Sequence, residues 1–208
     1  MNRDKFFGQW SELHGGAQVT GIVKAWLTIS FVAVKPLRAL RLSPSMVSLA
    51  GLIFGILTWV QGRNPLGIIF LILSLFADGV DGTLAIVTNR VSRWGAELDS
   101  VIDRLVEFFW ALTFIRIGAP VVIVAIAWVA ALTQEYLRAR AGGVGYRNIS
   151  VVTICERPVR ASLLFIALIA YLVSIHLVVA IASLWLVMQL YSLVVVLRDS
   201  YAALQRDN

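Results

Sequence analysis

Charged side chains are scarce in this chain. Only 14% of its 208 residues are Asp, Glu, Lys or Arg, whereas 59% are hydrophobic and the mean hydropathy is +0.83. Soluble domains average about 25% charged residues. The scarcity therefore argues against a soluble globular protein, and it predicts an all-α integral membrane protein whose core is built in lipid.

Cysteine and histidine are nearly absent as well. The chain has one cysteine, Cys155, and two histidines, His14 and His176. A single cysteine cannot close a disulfide within the chain, and this set does not supply the Cys and His ligands that zinc prefers. Both histidines are expected to be structural or solvent-facing. The first twenty residues contain no long apolar run, so no cleavable signal peptide is expected.

Four aspartates, by contrast, lie inside strongly hydrophobic sequence. They are Asp78, Asp81, Asp99 and Asp103. A carboxylate at membrane depth costs roughly 2.5–3.5 kcal/mol on insertion scales, so four of them need a compensating group. Hard divalent cations such as Mg²⁺, Ca²⁺ or Mn²⁺ take carboxylate oxygens, and the sequence therefore predicts a metal site here.

The spacing of these aspartates predicts one site. Asp78 and Asp81 share one helix face, and Asp99 and Asp103 share another. An antiparallel hairpin that turns near Arg90 would bring Asp78 level with Asp103 and Asp81 level with Asp99. The alternatives are acidic side chains that reach towards the membrane surface, or a proton or ion relay.

The same residues carry a family resemblance. The chain resembles the CDP-alcohol phosphotransferases (CDP-alcohol phosphatidyltransferases), whose signature is D-x2-D-G-x2-A-R-x8-G-x3-D-x3-D. It matches every fixed position except the arginine, which is Ile86 here. The matching residues are Asp78, Asp81, Gly82, Ala85, Gly95, Asp99 and Asp103.

The resemblance implies a fold, a reaction and a set of roles. It implies a homodimeric membrane enzyme that transfers a phosphatidyl group from CDP-diacylglycerol to a small polar alcohol and releases CMP. The four aspartates would hold two Mg²⁺ or Mn²⁺ ions, with Asp103 also the general base. Gly82, Ala85 and Gly95 would lie beside the CDP-lipid, with close helix packing as the other reading of the two glycines. Arg90 and Arg93 are expected to replace the missing arginine, or simply to anchor the membrane surface.

Hydropathy predicts six transmembrane helices within one domain that spans residues 1–208. Residues 1–41 are expected to form a cytoplasmic tail and an amphipathic interfacial helix that Pro36 kinks or ends. The six-helix core is expected over 42–198, and a C-terminal tail over 199–208. The predicted spans are 42–62, 64–87, 94–115, 120–136 and two more within 161–197, joined by a turn near Ser174, Ile175 and His176.

Basic residues set the predicted orientation. Outside the spans they all fall on one side of the membrane, except Arg63 and Arg116. This bias predicts that the crowded side, with the hairpin at Arg90 and the aspartates beneath it, faces the cytoplasm of a cell membrane. The net charge of +6 is not read as nucleic-acid binding, because these residues flank membrane spans.

A second group of polar residues follows the fourth span. It runs from Glu135 through a glycine-rich loop ending at Gly145 to Arg160, and includes Arg147. It is similar to the S-Y-x-K-A-R-A and E-R-P-x-R elements of bacterial phosphatidylinositol-phosphate synthases. The arginines expected to bind the acceptor phosphate are Arg138, Arg157 and Arg160. The other reading is that they mark helix ends at the cytoplasmic face.

The favoured acceptor is inositol phosphate, and glycerol phosphate is the next choice. Two other functions remain open from the sequence. One is a catalytically inactive membrane binding or scaffold protein of the same fold, which Ile86 would favour. The other is a divalent-cation transporter, which is disfavoured because the acidic residues cluster at one depth.

Overall fold

The computed structural model describes residues 1–13, 15–144 and 151–206. His14, Gly145 and Arg147, which the sequence singled out, lie outside these residues. All regular secondary structure in the described part is helical. Its helices are α1 (Arg3–Leu13), α2 (Gly21–Ala39), α3 (Pro44–Val60), α4 (Leu66–Val87), α5 (Arg93–Arg116), α6 (Val121–Gly143), α7 (Arg157–Tyr171) and α8 (Ile175–Arg206).

The predicted helices over 42–62, 64–87 and 94–115 and the break between α7 and α8 agree with the structure within a few residues. α6 continues to Gly143, past its predicted end at 136, and α8 continues to Arg206, through most of the predicted C-terminal tail. The N-terminal region differs from the prediction in two ways. α1 was not predicted, because its sequence is polar overall. α2 passes through Pro36 and ends at Ala39, since the amide of Leu40 still donates to the carbonyl of Pro36 at 3.0 Å.

Three helices of the described part, α4, α6 and α8, are long and apolar enough to cross a membrane. α2 and α3, bent by 107° at their break, would add a fourth if they formed one span. α3 has 17 residues and α7 has 15, fewer than the roughly 20 that cross a bilayer without thinning it. The predictions of six spans and of an interfacial helix therefore stay predictions.

The described chain divides into two compact units. The first unit comprises Met1–Ile56 and Phe70–Val106. The second unit comprises Leu57–Ile69 and the described residues from Glu107 onward. The prediction of a single domain over residues 1–208 stays a prediction.

Two apolar clusters hold the first unit together. One joins α2, α3 and α4, and its buried members are Val34, Val47, Ala77, Val80 and Leu84. Ala77, Val80 and Leu84 recur at helical spacing, so they form one face of α4. The other cluster joins α1, α2 and α4 through Phe6, Leu27 and Ile86. Because Asp78 and Asp81 each follow a core residue by one position, they lie on the neighbouring face of α4.

α3 and α4 approach each other closely in the first unit. A Cβ atom added at Gly51 would lie 3.4 Å from the Cβ of Ala77, and the hydroxyl of Ser74 donates to the carbonyl of Gly51 at 2.8 Å. At Gly79 the indole of Trp26 lies against the helix backbone, and any Cβ there would clash with the ring. Small residues thus fix how α2 and α3 pack on the helix that carries the first two aspartates.

α8 packs along α6 and α7 in the second unit. The buried face of α6 consists mainly of small residues, namely Ala127, Ala130 and Ala131, followed by Gln134. Gln189 donates to the side-chain carbonyl of Gln134 at 2.8 Å, and both side chains are fully buried. This hydrogen bond gives the two amides partners within an apolar interior.

Candidate active site

The turn between α4 and α5 is defined by two helix caps. Asn89 adopts φ 56°, and the amide of Arg90 donates to the carbonyl of Ala85 at 2.8 Å, which together end α4 in a left-handed cap. Ser92 begins α5, because its hydroxyl accepts a hydrogen bond from the amide of Gly95 at 3.0 Å. The turn that the sequence predicts near Arg90 is therefore present between α4 and α5.

This hairpin brings three aspartates together. One carboxylate oxygen each from Asp78, Asp99 and Asp103 lies within 4.8 Å of the other two. All three residues are partly buried. We call these three residues the aspartate cluster. Arg104 lies next to it, with Nη2 3.9 Å from Oδ2 of Asp103.

Asp81 is near the aspartate cluster but is held differently. It is 4% exposed, and it interacts electrostatically with Asp99 and Asp78. Its Oδ2 accepts a hydrogen bond from the hydroxyl of Ser48 at 2.5 Å, and its Oδ1 accepts one from the amide of Gly82 at 2.6 Å. The structure thus gathers three of the four predicted ligands within reach of one ion and fixes the fourth by hydrogen bonds.

The aspartate cluster fits a hard divalent cation by its donor chemistry. Three carboxylate oxygens at this mutual distance repel one another, and an ion that takes oxygen ligands relieves that repulsion. Asp78, Asp99 and Asp103 would hold the ion directly. Asp81 has acceptor capacity left on both oxygens, since each carboxylate oxygen carries two lone pairs.

The small residues of the motif have different surroundings. A Cβ atom added at Gly82 would meet nothing within 4 Å, so close helix packing does not explain this glycine. At Gly95 the nearest atom is the hydroxyl of Ser92 at 3.0 Å, within the cap of α5. Ala85 is half-buried. The open space beside Gly82 is consistent with a ligand that approaches the backbone of α4.

Ile86 is buried by the N-terminal helices. It is 5% exposed and lies in one apolar cluster with Phe6 of α1 and Leu27 of α2. An isoleucine suits this position because the surrounding side chains are apolar. Arg90 and Arg93, the expected substitutes for the missing arginine, are both exposed.

The second unit contains the predicted acceptor arginines, and Arg160 is the most buried of them at 3% exposure. Its Nη2 donates to Oε1 of Glu107 at 2.7 Å and to Oε1 of Glu135 at 3.2 Å. Its Nη1 donates to the carbonyl of Cys155 at 2.8 Å. Arg160 therefore ties α5, α6 and the segment before α7 to α7 itself.

Arg138 makes a bidentate pair with Glu156. Its Nη1 and Nη2 donate to the two carboxylate oxygens at 2.7 and 2.6 Å, and Nη2 also donates to the carbonyl of Val151 at 2.8 Å. Burial alone would raise the pKa of Glu156. The hydrogen bonds from Arg138 and from the amide and hydroxyl of Thr153 outweigh it and lower the pKa from 4.5 to about 2. The pair fixes the segment that precedes α7.

Arg157 is the more accessible neighbour of Arg160. Its side chain is 18% exposed, its guanidinium lies 5.4 Å from the ring centroid of Trp110, and its Nε lies 3.7 Å from Oε1 of Glu107. Cys155 beside it is fully buried, and this burial raises the pKa of its thiol to about 11. We call Arg138, Arg157 and Arg160 with Glu107, Glu135 and Glu156 the arginine network.

Sequence reasoning missed two residues that hold these sites. Glu107 anchors Arg160, and the only available signal was its place four residues after Asp103 in the same helix. Ser48 bonds Asp81 from a helix 33 residues away in the chain. A serine in an apolar helix gives no such signal, because its hydroxyl is usually satisfied by its own helix.

The aspartate motif on α4 and α5 is part of a longer similarity that covers most of the chain. Residues 39–198 match the family model of the CDP-alcohol phosphatidyltransferases. The chain belongs to this family. It is therefore a membrane transferase of phospholipid biosynthesis.

Individual relatives are consistent with the family match. The archaetidylinositol phosphate synthase of Pyrococcus horikoshii is 32% identical over 139 residues, which cover 64% of this chain and 72% of that protein. The phosphatidylinositol phosphate synthase of Streptomyces avermitilis is 44% identical over 69 residues, which cover 31% of this chain and 28% of that protein.

Solved structures show the same fold. Two crystal structures of the phosphatidylinositol phosphate synthase of Mycobacterium tuberculosis align with TM-scores of 0.69 and 0.72 at 18% and 19% identity. They cover 84% and 83% of this chain and 94% and 88% of the matched chains. The first contains bound CDP-DAG, and the second contains manganese and citrate. At this identity the likeness establishes the fold alone.

Proposed function

We propose that this protein transfers a phosphatidyl group from CDP-diacylglycerol to the hydroxyl of inositol phosphate, with glycerol phosphate as the second choice of acceptor. The observation that carries the proposal is the convergence of Asp78, Asp99 and Asp103 on one point. The relatives from Pyrococcus and Streptomyces are inositol phosphate lipid synthases, which supports the choice of acceptor.

In the proposed reaction, the acceptor hydroxyl oxygen attacks the phosphorus nearer the diacylglycerol. The new P–O bond replaces the bond to CMP, which leaves with the electron pair, and Asp103 takes the hydroxyl proton. Two Mg²⁺ or Mn²⁺ ions held by Asp78, Asp81, Asp99 and Asp103 would neutralise the charge on the diphosphate and on the leaving group.

Several residues would orient the CDP-lipid. The open face at Gly82, with Ala85 and Gly95, is proposed to admit the nucleotide close to the helix backbone. Arg90 and Arg93 are exposed and are proposed to contact the diphosphate in place of the arginine that Ile86 replaces. Their guanidinium groups match the geometry of phosphate oxygens.

Within the arginine network, the proposal separates two roles. Arg157, the more accessible of the two arginines at the start of α7, is proposed to bind the phosphate of the acceptor. Arg160 and Arg138 already bond Glu107, Glu135 and Glu156, so direct binding would require them to exchange these partners. We assign them mainly to holding the start of α7 in place.

The arrangement in the membrane is proposed from charge and hydropathy. Six spans, an interfacial α2 and an active site that faces the cytoplasm are supported by the one-sided distribution of basic residues. A homodimer is proposed from family membership. Trypsin accessibility of tagged loops in sealed vesicles would test the orientation, and mass measurement in nanodiscs would test the dimer.

Purified protein, CDP-diacylglycerol and a panel of acceptors test the activity. The panel is inositol phosphate, glycerol phosphate, serine and free inositol, scored by CMP release and product mass. We expect product with inositol phosphate, dependence on Mg²⁺ or Mn²⁺, and no product with excess chelator. Absence of product with every acceptor would favour an inactive scaffold, and Mn²⁺ flux into liposomes would favour a transporter.

A further inference from the structure

Ser48 lies on α3, outside the aspartate motif, yet its hydroxyl is directed at that motif. It is 6% exposed and lies 2.5 Å from Oδ2 of Asp81 and 3.2 Å from the carbonyl of Pro44 in its own helix. A serine hydroxyl has a single proton to donate. The much shorter contact takes this proton, so Ser48 donates to Asp81 rather than to its own helix.

The position of Ser48 is fixed by the packing of α3 on α4. The two helices run antiparallel: Gly55, seven residues after Ser48, lies beside Ser74, seven residues before Asp81, since a Cβ at Gly55 would lie 3.6 Å from Ser74 Oγ. Ser74 in turn donates to the carbonyl of Gly51 at 2.8 Å. The contact between Ser48 and Asp81 follows the same antiparallel pairing of α3 and α4, so both residues are positioned by helices.

Asp81 is consequently held at both oxygens. Ser48 donates to Oδ2, and the amide of Gly82 donates to Oδ1 at 2.6 Å. With both oxygens bonded, the carboxylate cannot rotate about its terminal bond without losing a partner. Groups that orient a ligating carboxylate in this way typically change metal affinity or activity by about 10- to 100-fold when they are removed.

We propose that Ser48 is a positioning residue that orients the carboxylate of Asp81 for cation binding. The inference rests on the proposed function in one respect, namely that Asp81 is a metal ligand. Ser48 itself is not proposed to touch the ion, the CDP-lipid or the acceptor.

The test measures Mn²⁺ affinity of the full chain in nanodiscs, without nucleotide, by the electron paramagnetic resonance signal of free Mn²⁺. We expect Ser48→Ala to weaken Mn²⁺ binding by about 10- to 100-fold. Ser48→Thr, which keeps a hydroxyl, should restore most of the affinity. The matched control is Thr113→Val, because Thr113 is another buried hydroxyl, and it bonds a backbone carbonyl of its own helix, that of Phe109, instead of a carboxylate.

The double variant shows whether the effect passes through Asp81. In an Asp81→Asn background, Ser48→Ala should cause no further loss of Mn²⁺ affinity. Normal affinity of Ser48→Ala, or an equal loss with and without Asp81, would overturn the inference. If Asp81→Asn itself binds Mn²⁺ normally, the metal role of Asp81 in the proposed function fails instead. If Ser48→Ala does not fold, Ser48→Cys, with a weaker donor of similar shape, is judged by the same outcomes.

Discussion

Carboxylates face other carboxylates in the first unit, whereas they face arginines in the second. Asp78, Asp99 and Asp103 lie within 4.8 Å of one another. Glu107 and Glu156 each accept short hydrogen bonds from a guanidinium group, at 2.7 and 2.6 Å. Like charges this close raise the free energy of the folded protein, while matched pairs with good geometry lower the cost of burial. The aspartate cluster is thus suited to binding an added cation, whereas the arginine network already contains its cations as guanidinium groups.

Removing a carboxylate from the aspartate cluster should give the largest effect on activity. Asp78→Asn, Asp99→Asn and Asp103→Asn are each expected to lower CMP release by more than about 100-fold, since even groups that merely orient a ligand change activity by 10- to 100-fold. Folding should be retained, because each change removes one repelling charge. Circular dichroism and CMP release measure the two outcomes. Near-normal turnover in two of the three variants would refute the metal assignment.

Removing an arginine from the second unit should mainly affect stability. Arg160→Gln removes the guanidinium that bonds the buried carboxylate of Glu107 and the partly exposed carboxylate of Glu135, and we expect a loss of about 3–5 kcal/mol in the free energy of unfolding. Arg160→Gln with Glu107→Gln should recover part of this loss, because one uncompensated charge is removed as well. Denaturant unfolding in detergent micelles measures both values.

Arg63→Gln is the control for this stability comparison, since Arg63 is exposed and its Nε donates to a backbone carbonyl, that of Arg116. It should change stability by less than about 1 kcal/mol. An equal loss of unfolding free energy in Arg160→Gln and Arg63→Gln would show that the buried ion pairs stabilise the protein no more than an exposed arginine does.

Arg157 should respond differently from Arg160. Arg157→Ala is expected to raise the KM for inositol phosphate about 10-fold or more, the value for one charge-assisted hydrogen bond, with the KM for CDP-diacylglycerol close to normal. Arg140→Ala serves as the control within the same basic region. Initial rates at varied acceptor and varied lipid separate the two constants. If both constants rise equally, Arg157 does not select the acceptor.

The smallest effect concerns pH and the Arg138–Glu156 pair. The pKa of Glu156 is lowered to about 2, so its charged form stabilises the fold fully above about pH 4.5 and loses this effect as the pH falls towards 2. The melting temperature of the wild-type protein should therefore exceed that of Glu156→Gln near neutral pH, and the difference should shrink across this acid range. A difference that is constant with pH would assign the effect of the substitution to packing.

The aspartate hairpin could be predicted from the sequence because its information is local. Helical spacing places Asp78 beside Asp81 and Asp99 beside Asp103, and polar residues near Arg90 mark the turn. Pairing of the arginines could not be predicted in this way. Arg160 and Glu107 are 53 residues apart, and many acidic residues were equally plausible partners.

α1 escaped prediction for a related reason. Its sequence is polar on average, and it is held by the contact of Phe6 with Leu27 and Ile86, which lie far along the chain. Helices of this length form few stable contacts on their own, so their presence depends on tertiary packing. Of the two effects predicted for Pro36, ending the helix is wrong, since α2 continues past it to Ala39.

The burial of Ile86 beneath Phe6 has an evolutionary consequence. A guanidinium at position 86 would place a charge in the apolar cluster that Phe6 and Leu27 form. Burying an unpaired charge there would strongly destabilise the folded protein. Relatives that keep arginine there should therefore lack a Phe6-like side chain or fold their N-terminal segment elsewhere. Position 86 and the N-terminal helix are expected to diverge together among lineages, which an alignment of this branch of the family would reveal as covariation.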